Sequence, residues 1–369
     1  MQVLQIANDY LGSRIYKHLF SVLKERDVDQ TVFVPVQYGA QINEQPEKVH
    51  VVPCFHNADR VLFYTKQRRM LRWVEENLDL KNFDVTHAHT VFSGGYLAWQ
   101  LYKRHGIPYI VAVRDTDVNV FFKYMVHLRH VGAQILADAQ QVIFLSPEYK
   151  ENVLNNCIPA KYRQNVLCKS HVIPNGIAKL FFEHRGEPKQ GCSDPIQLIY
   201  VGQINSRKNL ELTVQAAEKL RANGQDVTLT AVGKIGEEKY RQLMESKDFV
   251  THYDGCAQEE VLAHMRAADI FVMPSHRETF GLVYAEAMSQ GLPVLYTRNQ
   301  GFDGQFPDGT VGYAISDTDA QDVAEKICLV KEHYETLSAN AVTLVDKFRW
   351  DTIAEEYIGI YHAAKGERR

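Results

Sequence analysis

Two glutamates eight residues apart, Glu278 and Glu286, stand in the stretch 269–296, DIFVMPSHRETFGLVYAEAMSQGLPVLY. The stretch reads as strand Ile270–Met273, a short loop bearing Glu278, and a helix that begins after Phe280-Gly281. Gly291 and Pro293 stop that helix just past Gln290. Eight residues advance a helix by ~12 Å and turn it by ~80°. Two carboxylates so placed cannot grip one small group, but they suit the two ends of an elongated ligand. Between them, Gly281 lets the backbone come close to a ligand. The amides of Gly281, Leu282 and Val283 open the helix, where orphan N–H groups and the dipole favour phosphate. Upstream, Ile199–Gly202 ends another strand, and Arg207 and Lys208 follow it. That places two cations at the same sheet edge, where they can neutralise a diphosphate and stabilise it as a leaving group. Hydroxyls at both ends and phosphates in the middle describe a sugar nucleotide. Each charge-assisted hydrogen bond from a hydroxyl to a carboxylate contributes roughly 1.5–3 kcal/mol. An isolated pair of glutamates would read as two charges on a polar helix face; the pair here is not isolated.

These residues need a frame, and the chain supplies one of alternating strands and helices. Short β-branched runs recur at Val3–Ala7, Thr31–Val36, Val49–Cys54, Val85–His89, Tyr109–Val113 and Val142–Leu145. Helix-length stretches such as Arg14–Leu23 and Asp59–Leu78 lie between most of them. The stretch 178–195 gathers charge, Gly and Pro and reads as a linker. A second series follows: Ile196–Val201, Val227–Val232, Val250–Tyr253, Ile270–Met273, Pro293–Tyr296 and Thr310–Ile315. The expectation is an α/β protein of two doubly wound domains facing a cleft, each offering the carboxyl ends of its strands.

Composition narrows the function. The 369 residues are 45% hydrophobic and 23% charged, which is ordinary for a folded protein, and no apolar run is long enough to span a membrane. The start, MQVLQIAND, has no basic segment followed by an apolar core, so no secretory signal is expected. Six scattered cysteines without a Cys-x-x-Cys pair read as reduced thiols. Residues 1–190 hold 23 Lys+Arg against 18 Asp+Glu, while the whole chain carries −4; that excess is too small to argue for nucleic acid. The first strand runs into NDYLGSR with a single glycine, so the dinucleotide fingerprint is missing, as are the P-loop and HExxH. Asp115-Thr116-Asp117 has the Asp-x-Asp form of a metal clamp, a short match that an ordinary polar loop also produces.

The order VG-x5-KN, then YDG, then AADIFVMPS-xx-E-x-FGL-xxx-EAM-xx-G-x-PV resembles the retaining glycosyltransferases of family four, which have the GT-B fold. The resemblance runs from about residue 1 to 363, is strongest over 196–316, and includes the E-x7-E signature in Glu278 and Glu286. HVIPNGI at 171–177 is similar to the family's hinge strand. A final helix, Asp351–Tyr361, resembles the one that crosses back onto the N-terminal domain. The resemblance implies an N-terminal acceptor-binding Rossmann-like domain over 1–177, a linker over 178–195, a C-terminal nucleotide-sugar domain over 196–350, and the crossing helix over 351–369.

It also implies roles. Glu278 and the amides of Gly281, Leu282 and Val283 would contact the transferred sugar, Arg207 and Lys208 the diphosphate, and Glu286 the ribose, with Phe280 also among the donor-binding residues. Tyr253–Cys256 would lie near the base, with Tyr253 and Cys256 as contacts. Gly12 and Ser13 correspond to a loop that approaches the phosphates. Transfer would keep the anomeric configuration by a same-face displacement, with no metal, no cofactor and no enzymic nucleophile. Two departures stand out. Gln203 replaces an Arg that often follows the VG pair, and Arg114 replaces a common His. Arg114 cannot serve as a base near neutral pH, although it can hold a phosphate or a hydroxyl. His89, beside His87, and Asp117 are the candidates for the acceptor side.

The partners implied are a nucleotide-sugar donor, with UDP favoured, and a glycan or lipid-linked acceptor of a bacterial surface polysaccharide. The 59–78 helix interleaves Lys66, Arg68, Arg69 and Arg72 with Leu62, Phe63, Met70, Leu71 and Trp73. That pattern fits either a helix packed on its sheet or one lying on an anionic membrane surface. A cytoplasmic enzyme, peripheral on the inner face of the membrane, is the corresponding expectation. Two other readings stay open: a sugar-nucleotide epimerase on the same fold, and a module that binds sugar nucleotides without turnover.

Overall fold

The computed structural model describes residues 1–42, 45–56, 59 and 62–366. The chain forms two compact units. One gathers Met1–Leu145, Tyr149–Pro174 and the stretch from Trp350 onward; the other holds Ser146–Glu148 and Asn175–Arg349.

The first unit is built on a seven-stranded sheet: β1 (Gln2–Ile6), β2 (Asp29–Gln37), β3 (Val49–Phe55), β4 (Val85–Ala88), β5 (Tyr109–Ala112), β6 (Gln141–Phe144) and β7 (Ser170–Val172). Their order is β3-β2-β1-β4-β5-β6-β7, and every pairing is parallel. Every residue of β4 and β5 is buried, as a parallel sheet covered on both faces requires. The order reverses between β1 and β4, so a crevice for ligands is expected beyond the carboxyl ends of those two strands.

On one face lies the helix Arg14–Lys24. The hydroxyl of Ser13 accepts a hydrogen bond from the Ile15 amide and caps it. Its buried residues Tyr16, Leu19, Phe20 and Leu23 share one stripe. They pack with the helix Trp350–Lys365, which buries Trp350, Ile353, Tyr357 and Tyr361 among others. The end of the chain thus packs within the first unit; of the 351–369 named for the final helix, residues 367–369 lie outside the described residues.

On the opposite face lies the helix Phe63–Asn77, shorter than the 59–78 expected; residues 60–61 lie outside the described residues. Phe63, Gln67, Met70, Leu71 and Val74 are buried beneath it, and Trp73 stacks on Phe33 with ring centroids 5.4 Å apart. Most apolar residues of the basic stretch therefore belong to the core. Among its described residues, Leu62 and Tyr64 are the large exposed hydrophobics.

The second unit carries β8 (Ile196–Val201), β9 (Val227–Val232), β10 (Val250–Tyr253), β11 (Ile270–Met273), β12 (Val294–Thr297) and β13 (Gly312–Ile315). Again all are parallel, in the order β10-β9-β8-β11-β12-β13, with the reversal between β8 and β11. The stretch 178–195, read from its composition as a linker, sits within this unit. It contains the helix Lys179–Glu183 with Phe181 buried, and the Gly186 amide donates to the Ser289 carbonyl at 2.8 Å. Among the described residues no helix is long and apolar enough to cross a membrane.

Candidate active site

The strand order of the second unit reverses between β8 and β11, so a ligand is expected beside the loops that leave these two strands. After β8, Gly202 leads to Arg207, Lys208 and Asn209, and the helix Leu210–Ala222 begins. After β11, Pro274 leads to Glu278 and Gly281, and the helix Leu282–Ser289 begins. Both expected helix starts are thus placed side by side at the switch point of the sheet.

Asn209 ties the two loops together. Its backbone is left-handed (φ 55°), and its side-chain amide donates to the carbonyls of Pro274 (3.0 Å) and Asp317 (2.8 Å). The Arg207 guanidinium donates to the Arg277 carbonyl at 3.1 Å, and the Arg207 carbonyl accepts from the His276 amide at 2.9 Å. Lys208 donates from Nζ to Oε2 of Glu278, with both side chains nearly buried. The other Glu278 oxygen accepts from the Thr279 amide at 3.2 Å. The backbone of Glu278 is held as well, since its amide donates to Gln300 Oε1 at 2.9 Å and its carbonyl accepts from the Gly301 amide. A carboxylate fixed on both oxygens keeps its remaining lone pairs aimed in set directions. That is what recognition of hydroxyls needs.

The helix after Gly281 starts in a left-handed turn (φ 78°) with no side-chain cap. A Cβ at that position would stand 2.5 Å from the Tyr284 ring, so only glycine fits. Tyr284 in turn anchors the helix, donating from its buried hydroxyl to the Met273 carbonyl at 2.7 Å. The helix therefore presents uncapped amides beside Lys208 and Arg207, an anion-binding arrangement.

Glu286 lies on the second turn of this helix. Burial raises its carboxyl to about 7, and among the described residues no hydrogen bond or ion pair meets its carboxylate. A carboxylate poised near neutrality and lacking a partner is one that a ligand hydroxyl can satisfy. Leu282 and Val283 are half-buried beside it. Phe280 departs from its expected part: its ring is 3% exposed and packs against Phe348 at 5.6 Å, so it supports the loop from inside the core.

Tyr253 ends β10, two strands from β8, which sets it about 10 Å to the side. It is exposed, and its ring lies 4.1 Å from that of His264. Cys256 follows in the same loop, its thiol raised by burial and by the charges of Glu260 and Asp254. Gln203 is exposed, and its carbonyl accepts from the Tyr200 hydroxyl at 3.2 Å.

The remaining expected residues belong to the first unit. Gly12 is exposed, and a Cβ there would meet nothing within 4 Å; Ser13 serves as the helix cap described above. Arg114 follows β5. Its Nε donates to the His89 carbonyl at 3.4 Å, and it bonds to Tyr357 of the last helix.

His89 and Asp117 do not stand free for an acceptor. His89 is wholly buried, Nε2 facing Gln5 Oε1 at 2.9 Å, and its ring lies tilted against that of His87 with centroids 4.0 Å apart. Burial holds His87 down at about 3 and His89 well below its usual value, so both rings are neutral. Asp117, 1% exposed, accepts from the amides of Val91 (3.0 Å), Phe92 (3.1 Å) and Arg114 (3.0 Å). The reason for both departures is the same. A polar group directly after a buried parallel strand must be satisfied at once, and here the neighbouring loops and the last helix do that. Asp115 is engaged too, accepting from Asn119 at 2.7 Å and Tyr149 at 3.2 Å, so the Asp-x-Asp match is a loop brace.

Sequence reasoning assigned no role to Asn209 or Gln300. An asparagine just before a helix, and one before Gln300-Gly301, were the available signals, since Asn tolerates left-handed backbone. It also passed over Gly233, where a Cβ would overlap the Gly202 carbonyl and push the loops after β8 and β9 apart.

Comparison with known proteins adds the following. The family model "Glycosyltransferase Family 4" matches residues 12–178, and "Glycosyl transferases group 1" matches 186–341. A D-inositol 3-phosphate glycosyltransferase of Pseudarthrobacter chlorophenolicus is 32% identical, over 97% of this chain and 91% of the relative. Among solved structures, sucrose-phosphate synthase of Thermosynechococcus elongatus superposes with a TM-score of 0.74 at 20% identity, covering 98% of each chain. The Anabaena protein HepE in complex with UDP-glucose superposes with a TM-score of 0.65 at 16% identity, covering 97% of this chain and 98% of that one.

Proposed function

The chain belongs to glycosyltransferase family four, with the GT-B fold, and from that membership we propose that it moves a hexose from UDP to a hydroxyl of a glycan or lipid-linked acceptor. The second unit is the donor domain and the first the acceptor domain. The observation that carries this reading is the Lys208–Glu278 pair beside the uncapped helix start at Gly281. Together they put fixed positive charge where a diphosphate would leave and a fixed carboxylate where sugar hydroxyls would lie. Glu286 receives the ribose hydroxyls at the far end.

In the step itself, the bond from the anomeric carbon to the diphosphate oxygen breaks. The acceptor oxygen bonds to the same carbon on the same face, and its proton passes to the departing phosphate oxygen. The anomeric configuration is retained. Lys208, Arg207 and the helix amides take up the charge that develops on the diphosphate, so the reaction runs without metal or cofactor. Glu278, bridged to Lys208 and Thr279, orients the sugar rather than attacking it. HepE, the neighbour solved with UDP-glucose, supports the choice of UDP.

The product is a piece of a bacterial surface polysaccharide, made in the cytoplasm at the inner face of the membrane. Leu62 and Tyr64, with Arg68 and Arg72 exposed beside them, are the contacts for an anionic bilayer. Flotation with anionic vesicles tests that part: no binding removes it.

The decisive experiment incubates the protein with a panel of nucleotide sugars, with and without EDTA, and follows products by proton NMR. Transfer or slow hydrolysis of a UDP-hexose, with the anomeric coupling preserved, is the expected result. Interconversion of sugars, inversion, or dependence on metal would overturn the reading.

A further inference from the structure

The loop that leaves β12 carries a polar group with an unused donor, the side-chain amide of Gln300. β12 lies next to β11 in the sheet, so this loop stands beside the one that bears Glu278. The two loops are joined closely. The Gly301 amide donates to the Glu278 carbonyl at 2.8 Å, and a Cβ on Gly301 would overlap the Thr279 carbonyl. The backbone of Gln300 is held on both sides: its amide donates to the Thr297 carbonyl at 3.2 Å, and its carbonyl accepts from the Asp303 amide at 2.9 Å.

The side chain is fixed in direction as well. Its oxygen accepts from the Glu278 amide at 2.9 Å. A backbone N–H can only donate, so the atom facing it is Oε1, and Nε2 points elsewhere. Nε2 meets no acceptor among the described residues. Gln300 is half-buried, and this nitrogen is not sealed in the core. Close by, the Glu278 carboxylate is held by Lys208 and the Thr279 amide. The two neighbouring loops thus offer one fixed acceptor and one fixed donor. A carboxylate alone tests only whether a ligand group can donate. The pair can read one hydroxyl in both senses, its O–H donating to Glu278 while its oxygen accepts from Gln300.

We infer that Gln300 is a specificity-determining residue for the donor sugar: its Nε2 donates to an oxygen of the transferred hexose beside Glu278. The site thereby selects a hydroxyl at that carbon. A deoxy carbon satisfies neither group, fluorine only accepts, and an ammonium only donates. Because both loops are anchored, neither can shift to close on a smaller substituent. The inference rests on the donor-site reading of these loops and adds to it the class of sugar, one whose hydroxyl at that carbon is unmodified.

Calorimetric titration of the full chain with UDP, UDP-glucose, UDP-galactose and UDP-N-acetylglucosamine first identifies the sugar that binds best. Its single deoxy and deoxyfluoro analogues are then compared carbon by carbon. At one carbon the deoxy analogue should bind about tenfold or more weakly than the parent. The fluoro analogue there should bind about threefold better than the deoxy, because fluorine still accepts from Nε2. Gln300→Glu keeps an oxygen for the Glu278 amide and removes the N–H donor, and Gln300→Met removes both. Either variant, checked by thermal melting, should bring the fluoro and deoxy analogues of that carbon to equal affinity and leave the ratios at other carbons unchanged. A residue that merely braces the loop would weaken every analogue by the same factor, and that result overturns the inference. So does a fluoro advantage that survives both variants. So, with no variant needed, does an unaltered protein in which fluorine improves on hydrogen at no carbon. Binding of UDP keeps the two readings apart. UDP-hexose binding without a fluoro effect sinks the role of Gln300 alone, whereas no binding of UDP or of any UDP-hexose sinks the donor site and the inference with it.

Discussion

The two units share a topology and treat the same sheet edge in opposite ways. In the second unit the loops after β8 and β11 hold Lys208 and Glu278 against each other but leave uncapped amides and the carboxylate of Glu286 for a ligand. In the first unit the residues directly after β4 and β5 turn inward. His89 meets Gln5, Asp117 takes three amides, and Arg114 reaches Tyr357 on the last helix. The comparison teaches that a polar residue at the carboxyl end of a strand is not by itself a ligand contact. What separates the two edges is whether other chain segments have already satisfied it.

The largest effect that would break this contrast concerns Lys208. Replacing it by Met leaves Glu278 nearly buried without its cation and removes charge from the leaving diphosphate. Turnover of the UDP-hexose should fall by roughly 10²–10³-fold, the usual loss on removing one such stabilising group. Glu278→Gln should lower turnover comparably with a smaller change in donor affinity. If both variants turn over normally, the open edge is not the site.

Asp117 tests the closed edge. Asp117→Ala leaves the amides of Val91, Phe92 and Arg114 without an acceptor in the core, which should cost about 2–4 kcal/mol of stability. Urea denaturation measures it, and donor binding by the folded fraction should be unchanged. Burial raises the Asp117 carboxyl to about 6, above its ordinary value near 3.9. The folded state therefore holds this proton more tightly than the unfolded chain does. Its contribution to stability is present below about pH 4 and is lost as pH rises to about 6. The difference in stability between the unaltered protein and Asp117→Asn should follow that slope; a difference flat in pH would show the carboxyl to be solvated.

How much of this was legible follows from what patterns can encode. Alternating β-branched runs fixed the two parallel sheets, because buried parallel strands are nearly continuous in apolar residues. The Glu278–Gly281 loop was legible because glycine, strand end and helix start each carry a local signal. His89 and Asp117 were misread because their satisfaction is non-local. The partners of His89 and Arg114 include Gln5 and Tyr357, distant in sequence, and no local pattern announces them. Phe280 misled for a related reason, since an aromatic beside a functional glycine looks alike whether it faces ligand or core.

Glu286 gives a smaller effect on the open edge. Its carboxyl titrates at about 7 in the free protein because burial disfavours the charge. Ribose hydroxyls favour the ionised form, so binding lowers that value and releases a proton. Affinity for UDP should rise as pH passes upward through 7 and level off above it, by at most about tenfold per pH unit. Calorimetry in two buffers of different ionisation enthalpy detects the released proton. Glu286→Gln should flatten the profile and weaken binding; a profile already flat in the unaltered protein removes Glu286 from the nucleotide.

The histidines of the closed edge should give no effect in the same range, and that absence is informative. Burial keeps His87 down at about 3 and His89 well below 6.5, with the neighbouring Arg114 cation adding to both. Because each folded value lies below the unfolded one, their contribution to stability is present above about pH 6.5 and is lost as pH falls beneath it. Nitrogen-15 spectra of the imidazoles, taken from pH 8 to 5, should show both rings neutral throughout and each fixed in one tautomer. His87 Nδ1 faces the Tyr361 hydroxyl at 2.8 Å, and His89 Nε2 faces the Gln5 carbonyl oxygen and must carry the proton there. A His89 ring that titrates near 6.5, or that shifts when an acceptor is added, would mean that solvent and ligand reach it. The first unit's edge would then be as open as the second's, and the contrast between them would fail.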